Sequence, residues 1–382
     1  MKKTVHTLAK EFEEFDRLIR PEDRTLRAAR RAHLDVRARI RNDETIAAAH
    51  VTDFLQGSYA RHTMVKPPLD EYGDPTKADV DIILVTNISP TTPPQKVLEQ
   101  VKTWLEKEYG EGKAEIQSRS VKLTLDDVEV DLVPTSAPSE VQALVSYAEK
   151  ALQMETRSAD PGDDILDPDE VFGPSGDPDA DDQWAQEPLH IPDVHAQCWQ
   201  ETHPLATLEY TVEKNRCCDR KFLRVVRALK WWRRRATDHG GNKHPKSYPV
   251  EHMAGDHCPV GFTSIAEGLT LTFEGIRDAY EKCYPTTKPE LKLRGLEHSE
   301  ADVISRLTQE DFNAFYEEVR KAAALARTAL ETEDRQEAAT IWRQLLGEYF
   351  KVPVTTGTTS KPTGGYVAPV AVATSVRGGR FG

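Results

Sequence analysis

The sequence predicts an α+β chain of two lobes, a mixed sheet with flanking helices followed by a helical second lobe. Two β-branched runs, at 80–85 and 128–133, read as strands. Apolar residues at three- and four-residue spacing before and after them read as amphipathic helices. At 382 residues the chain is long enough for two lobes and buries roughly three quarters of its unfolded surface.

The elements follow in order. Val5, Leu8, Phe12, Phe15 and Ile19 mark a first helix, and Pro21 is expected in the first turn of a second, whose inner face is Leu26, Ala29, His33, Val36 and Ile40. Residues 51–55 form a short strand broken by Gly57-Ser58, and 80–85 a buried strand. Residues 93–109 form a helix with Val97, Val101, Trp104 and Leu105 inward. Residues 116–125 are read as one strand and 128–133 as another, with Val128, Val130 and Leu132 on one face and Asp131 on the other. Strand, helix, strand, strand is a small mixed sheet rather than a doubly wound one. From His203 the chain reads as helices, through Leu208, Val212, Phe222, Val225, Val226, Leu229 and Trp232, then over 262–280, 301–330 and 333–350. These signals divide it into a catalytic lobe with N-terminal helices over 1–200, a helical lobe over 201–352 and a flexible Thr/Gly/Ser/Pro-rich tail over 353–382.

The formal net charge of −13 is mostly one segment. Residues 160–182 hold ten carboxylates and no lysine or arginine, an acidic mobile loop near 158–185. By contrast, 216–235 holds nine basic residues and the single acid Asp219, a basic run expected to line the rim of a site. The total speaks against a chain that coats nucleic acid through bulk charge, but not against nucleotide substrates. The basic start Met1-Lys2-Lys3 meets Glu11, Glu13 and Glu14 without an apolar stretch, and no run approaches a membrane span. Five scattered cysteines fit a reduced compartment. The expectation is a cytoplasmic protein that binds neither membrane nor DNA.

Three aspartates carry the chemistry. Asp79 and Asp81 stand two apart at the head of an apolar strand, so both lie on one face. Asp131 stands on the later strand, and pairing of the two strands would converge three carboxylates. Such a cluster is unfavourable without cations, and hard oxygen ligands select magnesium or manganese. An Asp-x-Asp alone is more often an exposed strand face. Here it follows Gln56-Gly57-Ser58 on a strand-to-helix turn, where a glycine amide and the Ser58 hydroxyl can cradle phosphate. Arg61 and Lys66 follow that turn as candidate phosphate contacts. Lys230 is a point charge suited to phosphate, and Tyr248 offers an aromatic face to a base; their bland readings are a solvated cation and a core ring. Trp231 and Trp232 read as core. His239, His244, His252, His257 and Cys258 cluster in sequence without the spacing of a zinc finger, and are expected at the surface or as caps. No Walker A or His-Glu-x-x-His pattern occurs.

Gly57-Ser58, Asp79-Val80-Asp81 and Asp131 together resemble the polymerase-β-like nucleotidyltransferases. Arg227-Ala228-Leu229-Lys230-Trp231-Trp232, Lys246-Ser247-Tyr248-Pro249-Val250-Glu251, Leu189-His190-Ile191-Pro192-Asp193 and the segment from Trp199 to Pro204 narrow the resemblance to the bacterial cGAS/DncV-like nucleotidyltransferases of anti-phage defence. It extends over 1–350. It implies the two-lobed polymerase-β-like fold, with two magnesium ions (manganese the alternative) held by Asp79, Asp81 and Asp131. It also implies nucleotide contacts from Gln56, Gly57, Ser58, Arg61, Lys230, Ser247 and Tyr248. ATP, with GTP as a further substrate, would be joined into a cyclic oligonucleotide, a trinucleotide containing adenine, that acts on a downstream effector. A linear oligonucleotide synthase or tailing enzyme and a protein-nucleotidylating transferase are the alternatives on the same site. Only Cys217-Cys218 stands where the vertebrate relative carries its zinc module, which speaks against DNA sensing. The tail ending in Gly382 resembles C-termini conjugated by ubiquitin-transfer-like enzymes.

Overall fold

The computed structural model describes residues 7–70, 72–73, 75–138, 141–157, 188–236, 242–296 and 301–353. The chain begins with α1 (Ala9–Ile19), α2 (Asp23–Asn42) and the short α3 (Glu44–Ala47). β1 (His50–Gln56) runs into the one-turn α4 (Gly57–Ala60), followed by β2 (Ala78–Thr86) and α5 (Pro94–Tyr109). β3 (Ala114–Ile116), β4 (Val121–Thr124), β5 (Val128–Ser136), α6 (Val141–Arg157), β6 (Leu189–Asp193) and β7 (Cys198–Thr202) complete the sheet and its covering helices. The helical part comprises α7 (Pro204–Cys217), α8 (Phe222–Arg235), α9 (Ser247–His257), α10 (Ile265–Tyr280), α11 (Gln309–Glu331) and α12 (Arg335–Leu346).

The sheet runs β1-β2-β5-β4-β3, with β6 on β5 and β7 on β6. β2 and β5 are parallel and the remaining pairs antiparallel. Alternation divides the central strands between two cores. Val80, Ile82, Leu84, Val130 and Leu132 pack with Ala29, Val36 and Ile40 of α2 and Val101, Trp104 and Leu105 of α5. Ile83, Val85 and Val133 face the opposite way, under Leu144, Tyr147 and Ala148 of α6. Asp79, Asp81 and Asp131 share that second face one and two steps before Ile83 and Val133, so their end of it is left polar. A third core holds the helical part around Trp232, Phe273, Phe312, Phe315 and Trp342. α1 belongs to this core although it precedes the sheet in sequence. Its Phe12 ring meets Trp342 and Phe350 edge-on at 5.0 and 4.9 Å.

The α+β architecture matches the expectation; several boundaries do not. Pro21 lies ahead of the second helix, whose N-cap is Glu22. The single strand expected over 116–125 is a hairpin, because Gln117 and Ser120 close a turn through a 2.8 Å backbone hydrogen bond. The segment 301–308 precedes α11 instead of opening it, since Thr308 and Asp311 form a capping box there. The acidic segment 160–182, His239 and Gly382 lie outside the described residues. No described helix is long and apolar enough to cross a membrane.

Candidate active site

The sheet brings the three aspartates together. Parallel pairing of β2 and β5 places Asp81 opposite Asp131 and Asp79 opposite Glu129. One carboxylate oxygen from each of Asp79, Asp81 and Asp131 lies within 4.8 Å of the others, the only such metal-capable group among the described residues. Asp131 Oδ1 is buried with no hydrogen-bond partner. Burial pushes the Asp81 carboxyl up to about 7, reinforced by Asp79 and Asp131. Burial and the Asp79 charge push Asp131 up to about 6, and burial raises Asp79 as well. Three crowded carboxylates that resist ionisation, one with an orphaned oxygen, fit a divalent cation with hard oxygen ligands. Lys122 lies beside them on β4, opposite Asp131, but its ammonium is tied to Glu129 at 2.6 Å.

Gly57 explains the glycine of the Gly-Ser turn. It opens α4 at φ +76°, and a Cβ there would stand 1.8 Å from Asp81 Oδ2. Any side chain would occupy the space of a metal-binding oxygen, so the backbone can approach the carboxylates only as glycine. Gln56, Gly57 and Ser58 line the same cleft as the triad.

That cleft measures about 970 Å³ and lies between the sheet and the helical part. Nine of its lining residues are lysine or arginine and four are Asp or Glu. α8 contributes Lys230, Arg233 and Arg234, and the start of α9 contributes Ser247 and Tyr248. Tyr248 has Arg61 5.5 Å above its ring and its hydroxyl 3.3 Å from Thr207 Oγ1. Of the eleven predicted site residues within the described chain, all but Lys66 therefore border one cavity.

Individual expectations need correction. Lys230 is not a solvated, freely swinging cation: its side chain is 2% exposed and donates to the Thr63 carbonyl at 2.7 Å. Burial lowers it to about 8, against the pull of Glu251. Arg61 is buried in an ion pair with Glu251 at 2.5 Å. Lys66 turns away toward Glu22 and the Tyr349 ring. The basic run 216–235 is not one rim, because Arg227 clamps Asp16 at 2.7 and 2.8 Å and Arg216 pairs with Glu213 at the surface. The described histidines His252 and His257 are not surface groups either. His252 is buried against the Lys292 carbonyl at 2.8 Å, and His257 lies edge-on to Tyr280.

Sequence reasoning missed Thr63, and it gave no role of their own to Glu251, the last residue of the Lys246–Glu251 motif, or to Arg233, one of the basic run. Arg233 is half-buried and lines the cleft; its Nε has no hydrogen-bond partner, and its closest one elsewhere is Ser247 Oγ at 3.4 Å. Its spacing of three from Lys230 puts both on one helix face, which was a readable signal.

Comparison with known proteins agrees with this geometry. Residues 7–165 match the Second Messenger Oligonucleotide or Dinucleotide Synthetase domain. A cyclic AMP-AMP-GMP synthase of Enterobacter hormaechei is 36% identical over 98% of this chain and 99% of its own. A cyclic AMP-AMP-AMP synthase of an Acinetobacter species is 29% identical over 87% of this chain and 82% of its own. Among solved structures, E. coli CdnC with ATP superposes at a TM-score of 0.61 and 16% identity, covering 90% of this chain and 98% of that one. Bradyrhizobium diazoefficiens CdnG with GTP superposes at 0.62 and 13% identity, covering 89% and 95%.

Proposed function

The chain belongs to the second messenger oligonucleotide or dinucleotide synthetases, the bacterial cGAS/DncV-like nucleotidyltransferases, and from that membership we propose that it joins ATP and GTP into a cyclic trinucleotide containing adenine. The convergence of Asp79, Asp81 and Asp131 beside Gly57 in a cation-rich cleft carries this reading. The trinucleotide ring is supported by relatives named as cyclic AMP-AMP-GMP and cyclic AMP-AMP-AMP synthases.

In the proposed reaction a 3′-hydroxyl oxygen attacks the α-phosphorus of a nucleoside triphosphate. The new P–O bond forms as the bond to the β-phosphate breaks, and pyrophosphate leaves. Asp79, Asp81 and Asp131 would hold magnesium, with manganese the alternative; two such ions supply Lewis acidity at the attacking and leaving oxygens. Asp131 Oδ1, buried and unpartnered, would receive the hydroxyl proton. Gly57 and Ser58 hold the phosphates against the triad, Lys230 and Ser247 hold the leaving end, and Tyr248 packs on a base. Repetition on the linear intermediate, followed by closure, gives the ring. The lobes over 1–200 and 201–352 would bring donor and acceptor together across the cleft.

Incubation with magnesium and the four nucleoside triphosphates, singly and mixed, followed by mass spectrometry, tests the reading. A phosphatase-resistant product of three nucleotides is expected, with pyrophosphate released. A product that phosphatase shortens would replace the cyclic reading with the linear one, and label on protein would replace both. The product is proposed to act on a defence effector in the cytoplasm. Gly382 is proposed as a conjugation site for a ubiquitin-transfer-like enzyme. Deleting 378–382 should then leave turnover of the purified enzyme intact and abolish conjugation.

A further inference from the structure

We infer that Glu251 is a positioning residue for nucleotide binding: one buried carboxylate holds Arg61 and Thr63 behind the Gly-Ser turn and Lys230 on α8, and so sets the ammonium that grips the triphosphate. The inference rests on the proposed function and adds a residue to its site.

Glu251 is 5% exposed, and both of its oxygens are committed. Arg61 Nε donates to Oε1 at 2.5 Å, Thr63 Oγ1 donates to Oε2 at 2.8 Å, and Lys230 Nζ lies 3.5 Å from Oε2. Two cations thus share one buried anion at the wall of the cleft. Burial of such a cluster is costly, and an apolar core would stabilise the junction as well or better, so packing alone does not account for it. Its position does. Glu251 stands one turn beyond Ser247 on α9, so the same helix face presents the serine and the counter-ion of the lysine to the cleft. Arg61 and Thr63 follow α4 directly, so the carboxylate links the turn under the phosphates to the helix that carries Lys230.

The geometry leaves the lysine free to act. An ammonium has three protons, and only the Thr63 carbonyl takes one at short range, 2.7 Å. The contacts to Thr63 Oγ1 at 3.4 Å and Glu251 at 3.5 Å are long enough for a phosphate oxygen to displace. The charged groups around Lys230 are Glu251 on α9, Arg61 after α4 and Arg233 on its own helix. Glu251 is the only one of them that favours the charged form. Without it, Lys230 would lose its proton at a lower pH and its hold on triphosphate with it.

The test is the pH dependence of the KM for ATP in Glu251→Gln and wild-type enzyme, with magnesium and mixed nucleotides. The ratio of the two KM values is expected near one at pH 6 and about tenfold at pH 7.5, since each pKa unit is up to a factor of ten in the charged fraction above the variant's pKa. kcat should change less. Adding Lys230→Arg to Glu251→Gln should flatten the ratio, because arginine keeps its charge. If Glu251→Gln gives no cooperative melting transition, Glu251→Asp carries the same comparison, with its charge withdrawn from the lysine. A ratio that does not vary with pH, or a loss confined to kcat, in an enzyme whose wild type turns over overturns the inference alone. A wild type that binds no nucleoside triphosphate overturns the inference and the proposed function together.

Discussion

Two acidic sites on neighbouring strands, one buried and one open to the cleft, are built to opposite rules. Asp53 on β1 is fully buried and receives Arg37 Nε, Arg41 Nη2 at 2.7 Å and His50 Nε2 at 2.9 Å. Burial pushes its carboxyl up, but the His50 hydrogen bond and the Arg37 and Arg41 charges outweigh burial and hold it near 2. Asp81 on β2 has two more carboxylates for company and is pushed up to about 7. The first site is closed, its charge neutralised by side chains of α2 and β1. The second is left open, and what would neutralise it must come from solution. A buried charge satisfied within the chain is part of the fold. One left short of partners in a cleft marks where chemistry is done.

The largest expected effect breaks the open site. Asp79→Asn with Asp81→Asn removes two of three ligands and should lower pyrophosphate release by on the order of a thousandfold or more. The protein should still fold. Without magnesium it should melt at or above the wild-type temperature, because like-charge crowding is relieved. Thermal melting with and without magnesium, beside a pyrophosphate assay, checks both parts. Full activity in the double variant would dissolve the distinction between the two sites.

Breaking the closed site should do the reverse. Asp53→Asn removes the carboxylate that pairs with the fully buried Arg37, at a cost of about 3–5 kcal/mol in stability. Urea unfolding measures that loss. The fraction still folded should keep its nucleotide KM, because Asp53 does not border the cleft.

The same contrast explains what was legible in the sequence. The central strands and the acidic triad could be read because a β-branched run and an Asp-x-Asp are local patterns, and parallel pairing of β2 with β5 did the rest. The hairpin at 117–120 was hidden, since four polar residues between two apolar alternations kept the same apparent period. β6 and β7 were recognised as a motif but not as strands, being short, with β7 largely exposed at the sheet margin. The roles of Glu251 and Asp53 were silent for a deeper reason. Each is an ordinary acid in sequence, and its meaning comes from partners 190 and 16 residues away. Lys230 was found as a candidate phosphate contact, but its burial was not legible, because burial by the turn after α4 is a tertiary fact.

The smallest effect sharpens the comparison through pH. Asp53 has a native pKa of about 2, below the roughly 3.9 of an unfolded aspartate, so it adds stability above pH ~4 that disappears as pH falls toward 2. Asp81 has the opposite sign. With a native value of about 7, it is neutral in both states below pH ~4. Between pH ~4 and 7 the unfolded chain releases its proton while the native chain keeps it, so the metal-free fold loses stability over that window. Magnesium binds the charged form and should return what was lost. The melting temperature gained on adding magnesium should therefore be near zero at pH 5 and grow through pH 8, by a few degrees for a chain of this size. Melting curves with magnesium or EDTA at each pH give the slope, and Asp81→Asn should remove most of it. A magnesium gain that is equal at pH 5 and pH 8 would mean that the triad is already compensated within the chain, as Asp53 is, and the two sites would no longer differ in kind.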